Sequence, residues 1–177
     1  MRLAPTDAEG LINLGNTQHL LGRLADAEES FGAALAIAPD AINAHINLGC
    51  LLQEQGRLIE AEQILKRAVD LEPASPEALM NLGNVLRDLG RLADSALAIE
   101  ESIELKPDYP DAHYNLGLTL LALDQPKTAL ESFLKVITFD SEYSAAHANL
   151  SIILAKLNRL EEAEIHCKKT IFLTNKS

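Results

Sequence analysis

The chain has 177 residues, 47% of them hydrophobic, a formal charge of −11, only 4% aromatics and no Trp. That is ample material for a core of Leu, Ile and Ala, and its acidity argues against nucleic acid as a partner. No run approaches the roughly 18 uninterrupted apolar residues of a membrane span, so no membrane partner is expected.

Residues 1–7 are a lead-in with no apolar run long enough for a signal peptide, so a soluble, cytoplasmic protein is expected. From residue 8 the chain repeats itself. Asn-Leu-Gly occurs at 13–15, 47–49, 81–83 and 115–117, and Asn-Leu-Ser follows at 149–151, each 34 residues after the last. Five repeats result, at 8–41, 42–75, 76–109, 110–143 and 144–177, and they are read as one array. A strict period of this length marks stacked helical hairpins, each burying its apolar face against its neighbours.

Within a repeat, apolar spacing predicts a first helix (44–55 in the second copy) and a second one (58–71). Gly22, Gly56 and Gly90 separate the two, each followed by Arg and Leu. Asp124-Gln125-Pro126 and Asn158-Arg159-Leu160 stand there in the last two repeats. Pro39, Pro73 and Pro107 end the second helices, and Pro76 and Pro110 open the next first helices. Glycine at the eighth position (Gly15, Gly49, Gly83, Gly117) costs helix propensity, which predicts a close approach of two helix backbones. The small twentieth position (Ala27, Ala61, Ser95, Ala129, Ala163) is read the same way.

In the second copy, Leu48, Gly49, Gly56, Ala61, Leu65, Ala68 and Pro73 together resemble the tetratricopeptide repeat, and the resemblance extends over residues 8–177. The last two repeats depart at the turn and at the closing proline, where Ser141 and Asn175 stand. Residues 54–58 and 106–113 are similar to long superhelical arrays such as the repeat region of O-linked N-acetylglucosamine transferase. The resemblance implies an all-α, right-handed α-solenoid of five helix-turn-helix repeats. It also implies a scaffold that binds a protein or peptide partner in a groove lined by the first helices.

In that family the sixth position faces the groove, and here it is always asparagine: Asn13, Asn47, Asn81, Asn115 and Asn149. An amide offers two donors and one acceptor, so a ladder of them can hold the backbone of an extended peptide. The competing reading has these amides fixing repeat geometry. Asn16, Asn84, Arg87 and Tyr114, at neighbouring groove positions, complete the candidate peptide-binding set. Arg87 and Lys156 are the only cations at those positions, which makes a clamp for a C-terminal carboxylate unexpected. The groove positions turn from polar and mildly acidic to apolar along the chain. Net charge by repeat runs −4, −2, −4, −3 and +2, and steering mildly favours a basic partner.

His45, His113 and His147 share the fourth position, but a helix-packing spacing of roughly 8–10 Å is too wide to share a metal ion. Packing is the expected role. Cys50 and Cys167 are expected to be free thiols. No nucleophile–base set, phosphate loop or cofactor motif is present, so no cofactor is expected and the chain is not read as an enzyme. The alternative to a peptide-binding scaffold is a structural or self-association module, or the non-catalytic repeats of a larger transferase-type protein.

Overall fold

The computed structural model describes residues 7–176. Among these residues ten helices run in order: α1 (Ala8–Leu20), α2 (Leu24–Ile37), α3 (Ile42–Glu54), α4 (Leu58–Leu71), α5 (Pro76–Asp88), α6 (Leu92–Leu105), α7 (Pro110–Ala122), α8 (Pro126–Phe139), α9 (Ser144–Lys156) and α10 (Leu160–Thr174). Odd-numbered helices are the first helices of the five repeats and even-numbered ones the second. The chain forms two compact units, one closing at Gly90 and one starting at Arg91.

Helix boundaries have local causes. Asp7 caps α1 by accepting from the Glu9 N–H at 3.1 Å, and Ser75 caps α5 by accepting from the Ala78 N–H. Pro76, Pro110 and Pro126 occupy first turns, where a missing N–H costs nothing. At the fifteenth position Gly22, Gly56 and Gly90 have φ of 71°, 75° and 76°. Asp124 and Asn158 hold φ of 57° and 60° at the same register. Short polar side chains tolerate that left-handed backbone best after glycine, so the turn survives the substitution. Arg then sits at the N-cap of the second helix and pairs with an acid three residues on: Arg23 with Asp26, Arg57 with Glu60, Arg91 with Asp94 and Arg159 with Glu162.

The missing closing prolines have different consequences. α8 stops in register without one, because Asp140 accepts from the Glu142 N–H at 2.9 Å and turns the chain. α10 instead runs on to Thr174, one position further than the other second helices.

Gly15, Gly49 and Gly117 lie against side chains rather than against a second backbone, which corrects the expectation for these three. A Cβ added to Gly15 would sit 2.5 Å from Phe31, one on Gly49 2.5 Å from Leu65, and one on Gly117 2.7 Å from Phe133. These partners all hold the twenty-fourth position of the same repeat and are fully buried. In the last repeat the pair becomes Ser151 and Cys167, a larger residue opposite a smaller one, and Cys167 is exposed.

Successive repeats meet through small residues. Ala34 packs with Leu11 and Ala44, and Ala68 packs with Ile46 and Ala78. The second unit centres on Phe133, Val136, Ala146, Leu150, Ile153 and Leu154. Here the fourth-position histidines act. His45 donates from Nε2 to the Pro39 carbonyl at 2.9 Å, His113 to Pro107 at 2.8 Å and His147 to Ser141 at 3.1 Å. Each ties a first helix to the carbonyl that closes the preceding repeat. Among the described residues no group of three or more His, Cys, Asp or Glu is placed to hold a metal ion, and no helix is long and apolar enough to cross a membrane.

The glycine contacts have an opposite-sign control. Gly32, in α2, has open space where a Cβ would go. Gly32→Ala should therefore raise unfolding stability by about 0.5–1 kcal/mol through helix propensity. Gly49→Ala should lower it by about 1–3 kcal/mol, because Leu65 is boxed in and must leave its rotamer. Chemical denaturation of the two variants measures both signs.

Candidate functional site

Hairpin packing in the first unit sets α1, α3 and α5 side by side, with the second, fifth and sixth positions of α1 and α3, the ninth of α1 and the second of α5 turned to a common side. A groove of about 750 Å³ opens there. Glu9, Ile12, Asn13 and Asn16 come from α1, and Ile42, Asn43, Ile46 and Asn47 from α3. Ala8, Ala41, Glu72 and Glu77 complete the wall. Buried Ile46 and half-buried Ile12 and Ile42 form the apolar floor. Four amides and three carboxylates stand around it.

The amides differ in their state. Asn47 donates from Nδ2 to Asn16 Oδ1 at 2.8 Å, tying α3 to α1. That leaves the Asn47 oxygen and the Asn16 amino group open to a ligand. Asn13 and Asn43 are exposed, and their side chains have no hydrogen-bond partner among the described residues. Asn81 is 8% exposed and has little surface to offer. The twelfth and thirteenth positions lace first helices together: His19 pairs with Glu54, and Gln53 donates to Asp88 at 2.6 Å. On α5, Arg87 donates to Asn84 Oδ1 at 3.3 Å and lies 3.8 Å from Asp88, and neither Asn84 nor Arg87 lines the groove.

In the second unit Tyr114 takes the fifth position of α7, and Tyr143 stands just before α9. Tyr114 stacks edge-on to Phe133 at 5.6 Å and lies 5.0 Å from Tyr143. Its hydroxyl accepts from Asn149 Nδ2 at 3.2 Å, while the same amide donates to the Ala145 carbonyl at 3.1 Å. Asn115 donates to the Asp111 carbonyl at 2.9 Å. Tyr143 donates to Asp111 Oδ1 at 3.0 Å, and burial followed by that carboxylate raises its hydroxyl above the usual tyrosine range. A smaller cavity of about 220 Å³ lies between Leu121, Asn149, Ile152 and Ile153, with Asp124, Pro126 and Lys156 at its edge.

Of the nine sequence candidates, the groove thus collects Asn13, Asn16 and Asn47. Asn115, Asn149 and Tyr114 are engaged within the second unit. Asn43, Glu9 and Glu77 stand at positions that the register marks as groove-facing. Glu72 follows the end of α4, where helical spacing carries no signal.

Cys50 reports the field at this wall. Burial, followed by the Glu77 carboxylate, pushes its thiol up to about 11. At pH 8.5 iodoacetamide should therefore modify exposed Cys167 well before Cys50, and Glu77→Gln should speed Cys50 by a few-fold at most, since burial dominates. Peptide mapping of a labelling time course tests both statements.

Comparison with protein families finds tetratricopeptide repeat matches at residues 6–73, 46–110 and 98–131. No curated protein sequence matches the chain. Among solved structures, PilF of Pseudomonas aeruginosa is 22% identical, with 93% of this chain and 75% of that one covered at a TM-score of 0.87. MamA from Desulfovibrio magneticus RS-1 is 19% identical, with 96% of each chain covered at 0.79. YrrB, described as a TPR protein with an unusual peptide-binding site, is 22% identical, with 96% and 88% covered at 0.68. These likenesses show the fold. An all-α series of five 34-residue helix-turn-helix repeats, matched by three family descriptions of one kind, makes this chain a member of the tetratricopeptide repeat family.

Proposed function

We propose that the chain is a protein-interaction scaffold, a single series of repeats without catalytic activity or cofactor. Its first unit holds an extended partner segment in the groove over Ile12, Ile42 and Ile46. The observation that carries this reading is the amide edge of Asn13 and Asn43, unpaired among the described residues, beside the partly used pair of Asn16 and Asn47. An extended backbone needs alternating donors and acceptors, and amides over an apolar floor supply them without demanding a sequence. Asn115 and Asn149 supply the corresponding edge of the second unit once a ligand displaces their local bonds. The peptide-binding site described for YrrB, on the same fold, favours this reading over a purely structural role.

A second reading, self-association, is favoured by one feature. Ile165, Ile171 and Phe172 on the last helix are 64%, 57% and 59% exposed. It separates from the first by an apparent mass that rises with concentration in sedimentation.

The first reading is tested with peptides selected from a random decapeptide library displayed on phage. Replacing Asn13 and Asn47 by Ala should weaken the selected peptides about tenfold or more, while helicity by circular dichroism stays that of the parent. Undiminished affinity removes the amides from the binding role. A loss of helicity assigns them to repeat geometry instead.

A further inference from the structure

The groove has a charge that its architecture does not require. Glu9 stands in the first turn of α1 and Glu77 in the first turn of α5, where a carboxylate complements the helix dipole. Glu72 does not share that explanation. It occupies the C-cap of α4, the negative end of a helix, where local electrostatics disfavour an acid. No Lys, Arg or His lines the groove, and none pairs with these three carboxylates among the described residues. Most described cations of this unit are engaged elsewhere, Arg23 with Asp26, Arg57 with Glu28 and Glu60, Lys66 with Glu62, and Arg87 with Asp88, while Arg67 is exposed and lies outside the groove lining. Three acids with no cationic partner among the described residues, two in first turns and one at a C-cap, face one concave apolar floor and form a focused negative field.

We propose that the groove's occupant is an extended protein segment presenting a lysine or arginine, whose cation meets Glu9, Glu72 and Glu77 while its aliphatic stem lies along Ile12, Ile42 and Ile46. The proposal rests on the peptide-groove reading above and adds the chemistry of the partner. Long cationic side chains carry an apolar stem and a charged head, which is the division the wall presents. The net charge of −11 steers such a segment inward and repels a second copy of this chain.

The same decapeptide library tests it. Selection at low salt is run against the intact chain, against Glu9→Gln/Glu72→Gln/Glu77→Gln, and against Glu29→Gln/Asp70→Asn, which removes exposed charge outside the groove. The parent and the outside control should enrich Lys and Arg about threefold over input. Individual selected peptides should bind the triple variant about tenfold more weakly, and lose affinity in about 0.5 M salt. Peptides that are neutral or acidic, weakened by the asparagine substitutions but not by the glutamine ones, overturn the cation and leave the groove standing. A selection that yields no peptide sensitive to either set overturns both.

Discussion

A large side chain at the twenty-fourth position lies over a carbon that bears no side chain at the eighth, and the rest of the structure depends on that contact. Phe31 over Gly15, Leu65 over Gly49 and Phe133 over Gly117 close their hairpins at a separation that a β-carbon would forbid. Close-packed interiors transmit such a limit rather than absorbing it. In these three repeats the contact sets how closely the two helices approach, and in the first unit small residues at the third and twenty-seventh positions meet between repeats, as Ala34 with Ala44 and Ala68 with Ala78. First helices then line up within a unit, and the side chains that do not pack are the ones left facing the groove.

What those side chains do is decided by neighbours that the repeat period does not fix. Asn47 finds an asparagine at the ninth position of the preceding repeat and ties to it, while Asn149 finds Tyr114 and its own helix's carbonyl. Asn13 makes no side-chain hydrogen bond among the described residues. One residue type at one register therefore serves partly as mortar and partly as open surface. The carboxylates divide similarly. Acids near an N-cap arginine are paired on the outside of the hairpins, whereas Glu9, Glu72 and Glu77 are left to the groove.

Much of this is legible in the sequence, for identifiable reasons. The second helix of the second repeat is predicted over 58–71 and spans Leu58–Leu71, because apolar spacing, a turn glycine and a closing proline agree on its limits. The departures in the last two repeats are harder to read. Asp124 and Asn158 look unlike glycine, yet they adopt the same positive φ, and Asp140 stops α8 without a proline by turning back on the Glu142 N–H. Periodicity gives the face on which Asn13, Asn47 and Asn81 lie, but it does not show that Asn81 is buried, and the Asn16–Asn47 bond arises from a contact between repeats. Glu72 is invisible to helical register because it belongs to a cap. The shared register of the histidines indicates packing, whereas their recurring bond to the preceding repeat's carbonyl depends on turn geometry that spacing does not encode.

The central claim is that the groove of α1 and α3 is the surface that receives a partner. Side-chain amide resonances of Asn13, Asn16, Asn43 and Asn47, followed by nuclear magnetic resonance during titration with a selected basic peptide, test it most directly. These four pairs are predicted to shift together at saturation, while resonances on the outer helices α2 and α4 stay in place. Shifts gathered on α2, α4 or α10, with the four amides unmoved, would contradict it.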